Sequence, residues 1–104
     1  MTTKRAGDPG ALRNAQEEAA TDALASLFSS SSDKISDRLD NFPKYTRLQA
    51  QTRFLTRYEI FKKIVAVKGS VVECGVFRGG GLMTWANLSA ILEPANFMRR
   101  IYGF

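Results

Sequence analysis

A short β-branched segment followed by a glycine-rich turn constrains the fold of this chain more than any other feature of its sequence. Residues 70–75 read Ser-Val-Val-Glu-Cys-Gly, and four of the seven residues from 75 to 81 are glycine. β-branched residues favour a strand, and glycine lets the backbone turn sharply where the strand ends. Helical periodicity resumes over residues 80–92 and ends at Glu93-Pro94, after which residues 99–104 have the pattern of a second strand.

The order strand, glycine turn, helix and strand predicts a βαβ crossover, in which the two strands pair in parallel. Parallel sheets need cover on both faces and usually more than two strands. The sequence stops inside its second predicted strand, on the apolar residues Ile101, Tyr102 and Phe104. A natural terminus rarely leaves such a strand edge exposed. We therefore expect a truncated α/β fold, in which a longer protein supplies the rest of the sheet.

Helices are predicted before the crossover. An alanine-rich stripe predicts a helix over residues 11–28, and Ser32 or Asp33 is expected to cap a short helix that runs to Leu39. The clearest helical pattern covers about residues 46–67, where basic side chains surround one apolar face. We expect that face to be buried, and it comprises Leu48, Phe54, Leu55, Tyr58, Phe61, Ile64 and Val65.

The ends and faces of these helices lead to two further expectations. Lys63 and Lys68 suit the negatively polarised C-terminal end of the helix over residues 46–67. On the later helix over residues 80–92, the expected inner face comprises Leu82, Trp85, Ala86, Ser89 and Leu92.

Composition limits the chemistry that this chain can perform. It has no histidine and a single cysteine, Cys74, so it lacks the ligands of a zinc site and cannot form an internal disulfide. No apolar run approaches the roughly 18 residues of a membrane span, and the basic N-terminus lacks the apolar region of a secretory signal. We expect a cytoplasmic location and no association with a membrane. Without histidine, any catalysis would have to rest on carboxylates, lysines or residues beyond Phe104.

The charge of the chain is concentrated in one part. Residues 41–104 carry ten basic and three acidic side chains, a balance that keeps nucleic acid among the partners to consider. However, the aromatic residues Phe54, Tyr58 and Phe61 fall on the predicted buried face and do not flank the charges. Nucleic-acid binding is therefore the least favoured hypothesis.

The glycine turn is the predicted ligand site. In open α/β sheets, ligands bind at the carboxyl ends of the strands, beside the N-termini of helices. A phosphate-binding P-loop is excluded because Leu82 follows Gly81 where that motif has lysine. The dinucleotide fingerprint is only partly met, because Phe77 occupies its middle glycine position. A ligand without a pyrophosphate, such as S-adenosylmethionine, fits this turn better.

The sequence Val-Glu-Cys-Gly-Val-Phe-Arg-Gly-Gly at residues 72–80 resembles the first cofactor motif of class I methyltransferases, Glu/Asp-x-Gly-x-x-x-Gly. More narrowly, it resembles the macrocin O-methyltransferase-like group, which includes sugar methyltransferases of antibiotic biosynthesis. The similarity covers about residues 42–104. It implies a Rossmann-like methyltransferase fold, of which this chain holds N-terminal helices and the first βαβ unit.

Three regions are expected along the chain. Residues 1–10 lack apolar periodicity and are predicted to be a disordered tail. Residues 11–41 are predicted to form an N-terminal helical extension. Residues 42–104, which carry the resemblance, would be the incomplete start of an S-adenosylmethionine-binding domain.

The resemblance also implies which residues bind the cofactor. Tyr45 and Thr46, at the entrance to the preceding helix, would fold over it. The acid that holds the ribose hydroxyls, the carboxylates that bind Mg²⁺ and the catalytic residues would all lie beyond Phe104. The residues implied to line the methionine and ribose side are Glu73, Cys74, Gly75, Val76, Phe77 and Gly79.

Two of these residues also have simpler interpretations. Glu73 can be an ordinary polar residue at a strand end, although the motif around it favours contact with the cofactor. Cys74 is expected to be a small buried strand residue, because no base that could activate it as a nucleophile is visible.

The leading hypothesis is that the intact protein is an S-adenosylmethionine-dependent O-methyltransferase, acting on a hydroxyl of a sugar or another small molecule. This chain alone is expected to be inactive, and a homo-oligomer is one possible assembly of the intact protein. The alternatives are another nucleotide-binding α/β enzyme, such as a dehydrogenase, and a small basic module that binds nucleic acid.

Overall fold

A computed structural model describes residues 13–104 of the chain. Described residues up to Leu48 form one compact unit, and Gln49–Phe104 form a second. The predicted tail and residues 11 and 12 of the first predicted helix lie outside the described residues, and the predicted domain boundary at residue 42 remains a prediction. The elements are, in order, α1 (Ala15–Ser30), α2 (Ile35–Asp40), a 3₁₀ turn (Phe42–Lys44), α3 (Leu48–Ile64), β1 (Val71–Glu73), α4 (Gly80–Leu92) and β2 (Ile101–Gly103).

The first unit is organised around the two ends of α1. At the start, the Asn14 side chain accepts from the Glu17 amide, and the Glu17 carboxylate accepts from the Asn14 amide, both at 2.9 Å. This reciprocal pair is a capping box, which fixes where the helix begins. Near the end of α1, Phe28 meets Tyr45 edge to face with ring centroids 5.2 Å apart. The Arg38 guanidinium lies 4.9 Å from the Phe28 ring and donates to the Phe28 carbonyl.

The predicted cap of the short helix α2 is wrong. The helix begins after Lys34, whose side chain makes no capping hydrogen bond. The segment before it forms a turn of its own: the Ser31 hydroxyl accepts from the Asp33 amide at 3.2 Å, and the Asp33 carbonyl accepts from Arg38 at 3.0 Å. Neither Ser32 nor Asp33 is therefore placed at the start of the helix.

The second unit contains the predicted βαβ crossover. Strands β1 and β2 pair in parallel, with Val71 opposite Ile101 and Glu73 opposite Gly103, and α4 has the predicted bounds. A Cβ atom placed on Gly103 would lie 2.7 Å from Leu82 Cδ2, so glycine at this position lets α4 pack closely on β2. The predicted α/β class and the parallel pairing are confirmed.

The core of the second unit is small. Phe61 of α3 and Leu88 of α4 are 0% and 1% exposed, and the Phe61 ring stacks on Trp85 at a centroid distance of 6.4 Å. The apolar face predicted on α3 is therefore only partly buried, because α3 meets α4 around Phe61 while Leu55 remains 59% exposed. On α4 the most buried residues are Thr84 and Leu88, and the predicted inner residues around them are half-buried.

A buried ion pair connects the end of α3, the end of α4 and the start of β2. Arg99 Nε lies 2.6 Å from Glu93 Oε1, and the two side chains are 3% and 6% exposed. The same guanidinium donates to the last carbonyls of α3 and of the turn after it, namely those of Ile64, Val67 and Gly69, at 2.9 to 3.1 Å. Arg99 thus satisfies the carbonyls at this end of the helix, and Lys63 lies in the last turn as predicted.

Candidate functional site

The two strands end side by side, and their last residues anchor the glycine loop. The Phe104 amide donates to the Glu73 carbonyl at 3.0 Å, which extends the parallel ladder beyond β2. The Phe104 carbonyl in turn accepts from the amides of both Gly75 and Val76, at 2.8 and 2.9 Å. The beginning of the loop is therefore fixed to the sheet and is not a flexible linker.

Two glycines give the loop its path. Gly75 has φ +77° and Gly79 has φ +87°, in the left-handed region that glycine adopts without steric cost. Gly79 is the N-cap of α4 and provides no capping side chain. The first helical bond runs from the Met83 amide to the Gly79 carbonyl at 2.8 Å. The amides before it on the helix, those of residues 80–82, lie outside the helical hydrogen-bond pattern and can donate to a ligand.

An acidic and a basic side chain meet at the first turn of α4. A Cβ atom placed on Gly81 would lie 2.5 Å from Glu73 Oε1 and 3.0 Å from Arg57 Nη2. The carboxylate from the end of β1 and the guanidinium from α3 thus both lie against Gly81, so closely that a side chain at residue 81 would clash with them. Both residues are half-buried. Within residues 13–104 neither side chain forms an ion pair or a side-chain hydrogen bond. We refer to Glu73, Arg57 and Gly81 as the charged cradle.

Two other predicted residues of the loop, Val76 and Phe77, differ in how exposed their side chains are. Val76 is half-buried, and its Cγ2 would lie 3.0 Å from a Cβ on Gly103, so it packs against β2. Phe77 is 58% exposed, and the Arg78 guanidinium lies 5.0 Å from its ring centroid. Phe77 is therefore free to border a ligand, whereas Val76 is a packing residue.

The predicted burial of Cys74 is wrong, because this residue follows the last residue of β1 and is exposed. Side chains alternate between the faces of a strand, so Cys74 lies on the side of Val72, which is 57% exposed. Glu73 and Val71 lie on the other side and are half-buried. The face of β1 that carries Cys74 is thus the less covered one.

Tyr45 and Thr46 belong to the first unit and make contacts within it. Besides its contact with Phe28, Tyr45 has the Lys44 ammonium 5.3 Å from its ring. The Thr46 hydroxyl donates to the Phe42 carbonyl at 2.9 Å. Their predicted position over the cofactor remains a prediction.

Arg57 was not predicted as a site residue. In the sequence it is one of several basic residues on an amphipathic helix, and no spacing distinguishes it from Arg53 or Lys62. Its proximity to Glu73 is a tertiary feature, formed where both side chains meet Gly81 of α4, and periodicity does not encode it.

Two other features bear on ligand binding. No cluster of three or more His, Cys, Asp or Glu residues occurs in the part of the chain that the structure describes, and no helix there is long and apolar enough to span a membrane. A groove of about 500 Å³ lies at the opposite end of the strands, beside Lys68, Gly69 and Arg99. None of the predicted cofactor residues lines this groove, and ligands of open α/β sheets bind at the carboxyl ends of the strands.

The residues at the carboxyl ends fit the amino-acid end of S-adenosylmethionine. Glu73 can accept hydrogen bonds from an ammonium group, and Arg57 together with the first amides of α4 can donate to a carboxylate. Glu73 and Arg57 come together at Gly81, in the first turn of α4.

Comparison with solved structures finds proteins that share this fold. The chain matches the apo structure of CalS11, a TDP-rhamnose 3'-O-methyltransferase of calicheamicin biosynthesis, with a TM-score of 0.83 and 31% identity over 88% of this chain and 39% of CalS11. It also matches a crystal structure of CalS11, calicheamicin methyltransferase, with a TM-score of 0.83 and 28% identity over 100% of this chain and 41% of the other. No protein-family model matches the sequence, and no curated protein matches it.

The helices, the parallel strand pair and the glycine loop together match part of a methyltransferase fold, and the chain spans about two fifths of the length of CalS11. More specifically, the similarity is to a sugar O-methyltransferase-like class. The resemblance that residues 72–80 suggest is confirmed at the level of this class.

Proposed function

We propose that the protein to which this sequence belongs is an S-adenosylmethionine-dependent O-methyltransferase acting on a hydroxyl of a sugar or a related small molecule. The charged cradle is the observation that carries the proposal: it lies at the carboxyl end of a parallel strand, beside a helix N-terminus, in a chain similar to a sugar O-methyltransferase. This chain contributes to cofactor binding and is proposed to have no activity alone.

When bound, S-adenosylmethionine supplies an electrophilic methyl group on a sulfonium, which an acceptor hydroxyl oxygen can take by in-line displacement. The described residues bind and orient the cofactor. Glu73 accepts hydrogen bonds, the amides of residues 80–82 donate them, and the loop that Phe104 anchors holds both in place. A base for the acceptor hydroxyl, and carboxylates for the proposed Mg²⁺, would come from residues outside this chain.

The proposal also includes a cellular compartment and a class of acceptor, each supported by one observation. A single cysteine that forms no disulfide is compatible with a reducing cytoplasm, which is the proposed compartment. A small-molecule acceptor is proposed because CalS11 acts on a TDP-sugar. A homo-oligomer remains one possible assembly of the intact protein.

Calorimetric titration of the full-length gene product with S-adenosylmethionine tests the proposed function. We expect saturable binding, and we expect Glu73→Gln to weaken it about tenfold or more, because the substitution removes a charged hydrogen-bond acceptor. The matched control is Glu59→Gln on α3, where the side chain is 65% exposed and pairs with Lys62 at 3.0 Å. This control should bind as the wild type does.

A parallel titration with NAD separates the proposed function from the dehydrogenase alternative. Binding of NAD without binding of S-adenosylmethionine, in a protein shown to be folded by circular dichroism, would overturn the proposal. Salt-sensitive binding to RNA or DNA with no heat from either cofactor would favour the basic-module alternative instead. The 104-residue chain, assayed with S-adenosylmethionine and an acceptor sugar nucleotide, should give no methylated product.

A further inference from the structure

A single glycine of β2 lies where the glycine loop, α4 and the two strands come together. Gly103 pairs with Glu73 in the parallel ladder. The carbonyl of the next residue, Phe104, accepts from the amides of Gly75 and Val76. We infer that Gly103 is a positioning residue, whose missing side chain sets the position of the glycine loop through Val76. This inference rests on the proposed function, because the loop is the part of the chain proposed to bind S-adenosylmethionine.

The volume beside Gly103 is already occupied. A Cβ atom at this position would lie 2.7 Å from Leu82 Cδ2, 3.0 Å from Leu82 Cδ1 and 3.0 Å from Val76 Cγ2. Leu82 belongs to the first turn of α4, and Val76 belongs to the glycine loop that precedes it. One glycine on β2 thus receives a side chain from each of the two segments that flank the proposed cofactor site.

These two neighbours differ in how they can respond to an added methyl group. Leu82 would be met by the two ends of its side chain, which can move to another staggered rotamer. Val76 would be met by a methyl group on its β-carbon, and a β-branched side chain is stiff at χ1. Its backbone amide also donates to the Phe104 carbonyl at 2.9 Å. The displacement is therefore transmitted through Val76 to the backbone of the loop.

A purely structural role would give a different result. If Gly103 served only the packing of α4 on β2, alanine at this position would lower stability and leave the folded protein with its full affinity. If Gly103 positions the loop, affinity falls in protein that remains folded, because binding groups must be held close to their productive geometry. The two roles are separated by measuring affinity and stability on the same variants.

The experiment measures the calorimetric dissociation constant of the full-length gene product for S-adenosylmethionine, together with its melting temperature. We expect Gly103→Ala to weaken binding about tenfold. The matched control is Arg99→Ala at the opposite ends of the strands, where the buried guanidinium pairs with Glu93. This control should lower the melting temperature more than Gly103→Ala does, and it should keep the affinity of the wild type.

A second substitution tests whether the effect passes through Val76. Val76→Ala removes the Cγ2 atom that the added methyl group would meet. The double variant that combines Gly103→Ala with Val76→Ala should therefore bind within twofold of Val76→Ala alone. Such a recovery is a coupling between neighbouring residues, which a general loss of stability does not produce.

A different double variant applies if Gly103→Ala fails to fold by circular dichroism. Gly103→Ala is then combined with Leu82→Ala, which removes the closest contact and keeps the contact to Val76. This double variant should bind S-adenosylmethionine more weakly than Leu82→Ala alone, and equal affinity would overturn the inference. Failure of both variants to fold would make Gly103 a structural residue and would also overturn it.

Unchanged affinity in Gly103→Ala, or a loss that Val76→Ala does not recover, would contradict the role of Gly103 and leave the proposed function standing. A folded wild-type protein that does not bind S-adenosylmethionine would remove the proposed function, and the inference with it.

Discussion

An arginine lies at each end of the parallel strand pair, and the two differ in burial and in hydrogen bonding. At the amino ends, Arg99 is 3% exposed and its guanidinium is surrounded by acceptors. At the carboxyl ends, Arg57 is half-buried and forms no ion pair or side-chain hydrogen bond over residues 13–104. Each arginine lies near one glutamate, Glu93 or Glu73, so the difference does not come from composition.

At the amino ends the two buried charges, Arg99 and Glu93, are both satisfied. Arg99 binds both oxygens of Glu93, at 2.6 and 3.1 Å, in addition to three backbone carbonyls. Glu93 also accepts from the Ser89 hydroxyl at 3.0 Å and from the Asn96 amide at 3.1 Å. These hydrogen bonds, that from Arg99 first, hold the pKa of Glu93 below its ordinary value. A saturated network of this kind fixes the ends of α3 and α4 in place.

At the carboxyl ends the hydrogen-bonding groups remain open. Glu73 and Arg57 lie against Gly81 in the first turn of α4, whose N-cap Gly79 provides no capping side chain. Unpaired polar groups reduce stability, and such groups persist at sites where a ligand completes them. The comparison therefore separates a structural end of the crossover from the end that is proposed to bind the cofactor.

The largest expected effect is the loss of stability when Arg99 is removed from the hydrogen-bond network at the amino ends of the strands. Arg99→Ala should lower the free energy of unfolding of the full-length gene product by roughly 3 kcal/mol, because it leaves Glu93 and three backbone carbonyls without their partner. Urea unfolding followed by circular dichroism measures this difference. The matched control is Arg100→Ala, since Arg100 is exposed; its change should stay within about 0.5 kcal/mol. Similar losses in both variants would contradict the structural role of Arg99.

Much of this fold follows from the sequence. The βαβ order, the parallel pairing and the bounds of α4 depend on local patterns, namely β-branched residues, glycines and a helical period, and all three are confirmed. The glycine loop follows from the same patterns, because only glycine adopts the φ values found at Gly75 and Gly79 without strain.

What the sequence does not reveal are the contacts between elements. Arg99 and Ile64 are 35 residues apart, and no local pattern indicates that an arginine at the start of β2 satisfies the end of α3. The position of Arg57 beside Glu73 depends on packing in the same way. The exposure of Cys74 was mispredicted for a related reason, because a β-branched run does not show which face of a short strand is covered.

The second expected effect is a change at the carboxyl ends of the strands that lowers affinity for the cofactor and leaves stability unchanged. Gly81→Ala places a Cβ 2.5 Å from Glu73 Oε1, and the flexible ends of Glu73 and Arg57 must move aside. Affinity for S-adenosylmethionine should therefore fall about tenfold, while the melting temperature changes little because no backbone atom is displaced. Titration calorimetry and thermal unfolding measure the two quantities.

The neighbouring glycine provides the control for this substitution. A Cβ on Gly80 meets no atom within 4 Å, so Gly80→Ala should keep both the affinity and the melting temperature of the wild type. Loss of affinity in both variants would indicate that any side chain at the start of α4 interferes, and the charged cradle would lose its special role.

The smallest expected effect is the contribution of Glu93 to the pH dependence of the melting temperature. The pKa of Glu93 is lowered from its ordinary value of 4.5, chiefly by the hydrogen bond from Arg99. A carboxyl whose pKa is lower in the folded state stabilises the fold above its unfolded pKa, and this contribution is lost as the pH falls through the folded pKa. The melting temperature should therefore decline below about pH 4.5 in the wild type, and Glu93→Gln should show a shallower decline over the same range. Equal slopes in the two proteins would mean that the backbone hydrogen bonds of Arg99, and not the charge of Glu93, stabilise the amino ends of the strands.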